Sequence, residues 1–225
     1  MSKGIAIIMA DDSVRAILAG HKTETRRVLN PQPLGLIERY CFDGKRFYPY
    51  VQGTTLVDPA YKPRYLGHRL WVKEAWQMAQ FYAGGELGNE IDATYWEGPI
   101  PATRPGPCYG KRWHLLYRAT GDDEPEAAGE RWRPALFMPQ WAARLWLLCV
   151  DEQIERLQAI TEDGALREGM HWRRKDDPRY EDKRRDAYRE TWDMLNAKRG
   201  YAWDTNPWVR VVRFRVLTTA EVPND

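Results

Sequence analysis

The run from His21 to Arg27 holds the residue types in this chain that are best suited to chemistry. Lys22 supplies a cation, Thr23 and Thr25 supply hydroxyl groups, and hardly an apolar atom separates them. A solvated turn would have the same composition, because short motifs of this kind produce many false positives. A helix that docks an apolar stripe into a core would instead deliver these side chains to one fixed place.

A short helix is predicted immediately before this run. Its apolar stripe consists of Val14, Ile17 and Leu18, at positions i, i+3 and i+4. Asp12 or Ser13 can cap the first turn, and Gly20 stands where helices commonly end in a left-handed residue. Residues three apart on a straight strand face opposite sides, so Lys22 and Thr25 can share a site only if the chain after Gly20 is turned or bulged.

The spacing helix–Gly–x–Lys–Thr–x–Thr–x–Arg, which ends at Arg27, resembles the signature of the ASCH domain, a small β-barrel of the PUA-like group associated with RNA and modified nucleosides. Residues 160–170 are similar to the helix that supplies a carboxylate in the small amidohydrolase members, and Glu168 stands at the place of that carboxylate. Residues 208–217 resemble the closing strand. The chain as a whole is most similar to the longer, tryptophan-rich ASCH proteins of phages and prophages.

The resemblance implies an α+β fold built on a PUA-like β-barrel, with peripheral helices and long loop insertions. It covers nearly all of the chain, so we expect a single ASCH-like domain over residues 1–225. Insertions are expected near residues 78–112, where Gly and Pro are frequent, and near residues 171–185, where charged residues are dense. The mixed signs of the second insertion favour a solvated face over a patch that binds nucleic acid.

Composition limits the classes of protein that fit. A formal net charge of +2 lacks the strongly basic balance common among nucleic-acid-binding domains, so any basic surface must be local. The three cysteines lie far apart, which favours a reducing compartment over a disulfide framework. No apolar run approaches the ~18 residues of a membrane span, and the N-terminus lacks the layout of a signal peptide. We therefore expect a cytoplasmic protein without membrane contact.

The sequence also lacks the common motifs for metals and cofactors. The four histidines are scattered, and there is no CxxC pair, no HExxH motif and no Gly-rich phosphate loop ending in Lys-Ser/Thr. We expect neither a metal ion nor a nucleotide cofactor. The expected partner is a modified nucleoside or RNA, and the sequence gives no indication of a protein partner.

Aromatic residues could complete a pocket for a nucleobase, because bases stack on Trp and Tyr rings. Trp71, Glu74 and Trp76 lie on or beside a strand predicted within residues 66–76, and Trp141 lies farther along the chain. With 11 Trp in the chain, each ring alone is more often a core residue, and Glu74 could equally be a surface carboxylate.

A second helix is predicted over residues 185–198. Its apolar stripe is Tyr188, Trp192 and Leu195, at i, i+4 and i+7. Gly200 follows the basic end of this helix, as a helix terminator does. The last strand then alternates apolar residues with arginines, which is typical of a half-buried strand.

Two assignments of catalytic roles to Lys22, Thr25 and Glu168 are compatible with the sequence. Beside a carboxylate, Lys22 would be an ammonium that holds an oxyanion or donates a proton, while Glu168 acts as the base or positions a water. Alternatively, Thr25 is the nucleophile and a neutral Lys22 is its base. Both make these three side chains the predicted catalytic residues.

Similarity to the small ASCH amidohydrolases implies a metal-free enzyme that removes an acyl group from N4-acylated cytosine or cytidine. In this hypothesis Thr23 and Arg27 bind the substrate together with the aromatic pocket. The alternative is an RNA-binding ASCH module, with or without ribonuclease activity, in which Arg26, Arg27 and residues 173–175 contact phosphates. The Lys–Thr–Glu trio favours the enzyme, and the long insertions favour the RNA-binding module. We prefer the amidohydrolase.

Overall fold

The computed structural model describes residues 4–33, 37–51, 54–55, 61–83, 91–95, 100, 105–106, 113–121, 131–170 and 183–222. Within these residues the helices are α1 (Asp11–Leu18), α2 (Glu162–Arg167) and α3 (Arg184–Asn196). The strands are β1 (Ile5–Ile8), β2 (Glu24–Val28), β3 (Arg39–Phe42), β4 (Phe47–Val51), β5 (Thr54–Thr55), β6 (Arg69–Lys73), β7 (Trp76–Ala83), β8 (Ile91–Tyr95), β9 (His114–Tyr117), β10 (Trp146–Arg156) and β11 (Trp208–Val216). The predicted α+β class is confirmed. In the described part of the chain, no helix is long and apolar enough to cross a membrane.

The chain divides into two compact units. Unit 1 consists of Met1–Arg15, Leu70–Trp146 and Leu217–Asp225, and unit 2 consists of Ala16–Arg69 and Leu147–Val216. In unit 1, β1 and β6 pair in parallel, and β7 pairs antiparallel with both β8 and β9. In unit 2, β10, β11 and β2 form an antiparallel sheet in that order, and β3, β4 and β5 form another. The described strands of these sheets do not close into a barrel.

The β10–β11–β2 sheet of unit 2 is covered on both faces. Side chains alternate along a strand, so neighbouring residues face opposite ways. On one side, which we call the helical face, Val209 packs with residues of and around α2 and α3. This cluster contains Leu157, Ile160, Ala165, Tyr188, Trp192, Trp203 and Val209. On the other side, which we call the aromatic face, Trp208 packs with Phe47, Tyr61 and Ile154.

Helix α1 buries a different arc from the predicted one. Val14 and Ile17 are buried as expected, but Leu18 is 49% exposed. The buried face of α1 includes Ala16 beside Ile17, and Leu18 therefore lies just outside this face. The chain then turns at Gly20, whose φ is 74°, in a Schellman motif with two hydrogen bonds back to α1. The predicted end of the helix is confirmed.

Helix α3 confirms the predicted span but not the whole predicted stripe. Tyr188 and Trp192 are buried, whereas Leu195 is 57% exposed and Asn196 is buried. The buried row consists of Tyr188, Trp192 and Asn196, at i, i+4 and i+8. At 3.6 residues per turn such a row winds slowly around the helix, and Leu195 lies on the side from which it winds away. The Asn196 amide donates to the Trp192 carbonyl oxygen at 3.1 Å, so this buried polar side chain has a hydrogen-bond partner.

The predicted insertions lie partly outside the described residues. Residues 171–182 are outside them, and α3 begins shortly afterwards at Arg184. Within the region near 78–112, β7 and β8 pair antiparallel, with Ala79 opposite Tyr95. The single domain over residues 1–225 and the two insertions stay predictions.

We expect Gly169→Ala to destabilise the protein more than Gly20→Ala. Both glycines have positive φ, so each alanine carries a strain of roughly 1–2 kcal/mol. A Cβ on Gly169 would also lie 3.0 Å from the Cβ of Ala16 and 3.4 Å from that of Lys22. At Gly20 it would meet nothing within 4 Å. Overpacking should add about 1–3 kcal/mol at Gly169. Urea unfolding followed by Trp fluorescence measures both losses, and equal losses would contradict the packing argument.

Candidate active site

Glu168 follows directly on the last residue of α2 in unit 2. Thr161 caps the start of this helix, because its side chain accepts a hydrogen bond from the Gly164 N–H at 3.0 Å. Six helical residues then carry the chain to Arg167, so Glu168 takes a fixed position where the helix ends. Glu168 is 4% exposed. A carboxylate at this depth needs hydrogen bonds and opposite charges around it.

Lys22 provides the first of these partners. Its ammonium donates to Oε2 of Glu168 and, at 2.9 Å, to the main-chain oxygen of the same residue. The two residues are 146 positions apart in the sequence. The turn after Gly20 allows this contact, since Lys22 precedes β2 and its N–H donates to the Ala16 carbonyl oxygen at 3.0 Å. The expected meeting of the Lys22 and Glu168 functional groups is confirmed.

The outer edge of β2 provides the second partner. Along an edge strand, every second N–H points away from the sheet. The N–H of Arg26 is one of these, and it donates to Oε1 of Glu168 at 2.6 Å. Thr23, which is exposed, extends this edge, because its N–H donates to the Arg167 carbonyl oxygen at 2.9 Å. The end of α2 is therefore held along the edge of β2.

The side chain of Arg26 lies on the helical face and joins three carboxylates. Its Nη1 lies 2.7 Å from Oε1 of Glu24 and 3.4 Å from Oε1 of Glu168. Its Nε donates to Oε1 of Glu155 at 3.0 Å. The side chain is 3% exposed. The predicted contact of Arg26 with RNA phosphates is therefore wrong, because its charge is buried and already neutralised. Residues 173–175 lie outside the described residues.

Burial and charge act against each other in this cluster. Burial lowers the pKa of Lys22 from its ordinary value, although the neighbouring charge of Glu168 opposes that shift. At Glu24, burial alone would raise the carboxyl pKa, yet three arginines bring it below its ordinary value. These arginines are Arg213, Arg26 and Arg167. Glu24 is thus kept as an anion although it is completely buried.

Tyr188 of α3 also faces the cluster. Its ring centroid lies 5.9 Å from Cζ of Arg26, and the residue is buried. Burial and then the charge of Glu168 raise the pKa of the Tyr188 hydroxyl well above its ordinary value. The phenol is therefore neutral near pH 7, in contrast to the charged groups around it.

The other signature residues, Thr25 and Arg27, belong to the aromatic face. They pair with Val212 and Arg210 of β11, and along β2 they alternate with Arg26. Thr25 is 5% exposed, and burial lowers the pKa of Arg27. The signature is thus split between the edge of β2 and one face of its sheet.

Comparisons with known proteins identify no relative of this chain. A scan against protein-family models found no match, and searches of curated proteins and of solved structures found none either. Among the described residues, no group of three or more His, Cys, Asp or Glu side chains is arranged to hold a metal ion. The expectation of no metal and no cofactor stays a prediction.

The remaining candidates, Trp71, Glu74, Trp76 and Trp141, belong to unit 1. Glu74 is completely buried, and Arg144 binds both of its carboxylate oxygens, at 2.9 and 2.8 Å. Trp76 is also completely buried and meets Trp141 edge-on. Glu74 and Trp76 are therefore enclosed by protein and contribute to the packing of unit 1, and their part in substrate binding stays a prediction. Substrate binding by Trp71 and Trp141 stays a prediction.

Sequence reasoning missed the part that Arg26 and Tyr188 play in this cluster. The ASCH signature places no requirement on position 26, and helical spacing alone accounts for Tyr188 as an apolar residue. One signal was available: Glu24 and Arg26 have opposite charges two positions apart, and on a strand such residues share one face.

We expect part of the acid sensitivity of the fold to come from Glu24. Its folded-state pKa is lowered, so the unfolded chain binds more protons in the window between the two pKa values, and stability rises with pH there. This contribution is present above about pH 4.3, the value for an unfolded Glu, and is lost as the pH falls through the lower folded-state value. Glu24→Gln should flatten that dependence. Glu38→Gln, at an exposed site, should leave it unchanged. Urea titrations at successive pH values measure the slopes, and parallel curves for Glu24→Gln and the wild type would refute the assignment.

Proposed function

We propose that this protein is a metal-free amidohydrolase of the ASCH type, built on a PUA-like barrel, that removes an acyl group from N4-acylated cytosine or cytidine. The observation that carries the proposal is the buried contact between Lys22 and Glu168. An ammonium and a carboxylate held together away from water can stabilise an oxyanion and accept a proton, respectively. Hydrolysis of an amide requires both.

Glu168 is the proposed general base. It takes a proton from a water molecule, whose oxygen then attacks the acyl carbon. The proton passes to the exocyclic nitrogen as the C–N bond breaks, which gives a carboxylic acid and the free amine of the cytosine. The Arg26 N–H at 2.6 Å fixes the carboxylate for this role.

Lys22 is the proposed oxyanion-binding group. An ammonium has three N–H donors, and among the described residues Glu168 accepts two of them. The third can donate to the carbonyl oxygen as negative charge develops on it. Because the ammonium already donates to Glu168, it is poorly placed to act as a base for Thr25. We therefore assign Thr25, with Thr23 and Arg27, to binding of the nucleoside.

The purified protein should release acetate from N4-acetylcytidine without added metal, and a chelator should not change the rate. Glu168→Gln keeps the shape of the side chain but removes the base, and should lower kcat by about 10²–10⁴. Lys22→Met removes the cation at the carbonyl, which should cost about 10²–10³. Lys62→Met, at an exposed position, is the matched control and should retain the wild-type rate. Proton NMR of the released acetate measures all four proteins.

Folding of these variants needs its own measurement. Removing one partner of a buried ion pair costs about 3–5 kcal/mol, because the other charge is left buried. The double variant with Lys22→Met and Glu168→Gln leaves no such charge, so it should be more stable than Lys22→Met and equally inactive. Circular dichroism and urea unfolding test this. A folded wild-type protein that releases no acetate from several N4-acyl cytosines would overturn the proposal.

An RNA-binding module is the second candidate function, and arginine–tyrosine pairs in unit 2 favour it. Arg39 is exposed, and its Cζ lies 4.6 Å from the ring centroid of Tyr50. Arg64 is also exposed, and its Cζ lies 5.3 Å from the ring centroid of Tyr65. Single-stranded nucleic acids bind to basic surfaces with aromatic rings on which bases stack.

The salt dependence of RNA binding tests this second candidate. If the exposed arginines contact phosphates, Arg39→Gln and Arg64→Gln should each reduce the slope of log Kd against log salt by about 0.7. Lys198→Gln, exposed beyond α3, is the control and should leave the slope unchanged. Fluorescence anisotropy with a labelled single-stranded RNA provides the measurement. An unchanged slope in both arginine variants would exclude these pairs as an RNA-binding surface.

A further inference from the structure

Arg26 reaches Glu168 by two routes. Its main-chain N–H donates to Oε1 at 2.6 Å, and its Nη1 lies 3.4 Å from the same oxygen. The same Nη1 lies 2.7 Å from Oε1 of Glu24, and Nη2 lies 2.9 Å from Oε1 of Glu155. Tyr188 lies against it, with the ring centroid 5.9 Å from Cζ. Three carboxylates and one aromatic ring thus surround the guanidinium beside Glu168.

We propose that Arg26 is a positioning residue, which holds Oε1 of Glu168 so that Oε2, beside Lys22, is the oxygen that accepts the proton. The inference rests on the proposed hydrolase function. Both contacts from Arg26 go to Oε1, whereas the contact from Lys22 goes to Oε2. A carboxylate free to rotate would present either oxygen to the water. These one-sided contacts select one.

Three other groups also adjoin the Glu168 carboxylate: Lys22 after α1, Arg27 on β2 and Tyr188 on α3. A substitution at Arg26 leaves its main-chain N–H in place, so it tests the contribution of the guanidinium alone.

The test compares Arg26→Gln with Arg213→Gln. Arg213 lies on the same sheet face and binds Glu24 at 2.8 Å and Asp151 at 2.7 Å, so its loss disturbs the same charge network one step away from Glu168. Arg26→Gln should lower kcat about 10- to 100-fold with little change in KM, because the base is misplaced. Arg213→Gln should leave both kcat and KM at their wild-type values.

Arg26→Lys separates positioning from charge. Lysine keeps the cation but lacks the planar fork that joins several carboxylates. It should therefore fail to restore kcat. This variant also carries the test if Arg26→Gln does not fold, since a wild-type kcat in Arg26→Lys would overturn the inference. A folded Arg26→Gln with a wild-type kcat would overturn it as well.

A spectroscopic measurement distinguishes failure of this inference from failure of the hydrolase function. Carbon-13 NMR at one fixed pH follows the hydrogen bonding of the Glu168 carboxyl without turnover, and its chemical shift should change in Arg26→Gln and stay constant in Arg213→Gln. A wild-type protein without acetate release would defeat the hydrolase function, and the chemical shift would still decide whether Arg26 acts on Glu168. An unchanged chemical shift in Arg26→Gln would overturn the positioning role even in an active enzyme.

Discussion

A carboxylate buried at the edge of a β-sheet is the constraint on which the candidate site depends. Glu168 is 4% exposed, and an unpaired anion at that depth would cost several kcal/mol. Its partners are the Lys22 ammonium, which follows α1, and the N–H and guanidinium of Arg26 on β2. The end of α1, the edge of β2 and the end of α2 must therefore meet at one point. Gly20, two residues before Lys22, turns the chain toward that point through its left-handed conformation just after the end of α1.

Strand β2 has a different environment on each face. Glu24 and Arg26 lie on the helical face, where with Glu155 they support the carboxylate, and Thr25 and Arg27 lie on the aromatic face. This also explains why a segment without an apolar residue before its last position forms a strand at all. Ladder bonds to β11 and ion pairs on one face take the place of hydrophobic burial. The polar residues of β2 thus form the strand and also hold the Glu168 carboxylate in position.

Local signals in the sequence predict the helices and their ends, since a turn at Gly20 or the span of α3 depends on a few neighbouring residues. The exposure of Leu18 and Leu195 could not be predicted in this way, because periodicity marks a face without showing what covers it. The contact of Lys22 with Glu168 could be expected only through the family resemblance, since no spacing rule joins residues 146 positions apart. The role of Arg26 depends on Glu155 and Glu168 together, which only the folded chain brings within reach of one guanidinium.

Stability alone does not account for these buried charges. Replacing a buried ion pair by apolar residues of similar volume is often neutral or stabilising by about 1–4 kcal/mol, and the helical face is already lined by residues such as Leu157 and Trp192. Burial lowers the pKa of Lys22, so the environment works against the ion that the chain places there. The buried pair of Glu74 and Arg144 in unit 1 is a useful contrast, because both carboxylate oxygens are bound by one guanidinium. At Glu168, the oxygen beside Lys22 adjoins an ammonium of which, in the part of the chain that the structure describes, two of the three hydrogens are donated to Glu168. That difference favours a chemical role for the Lys22–Glu168 pair and a structural role for the Glu74–Arg144 pair.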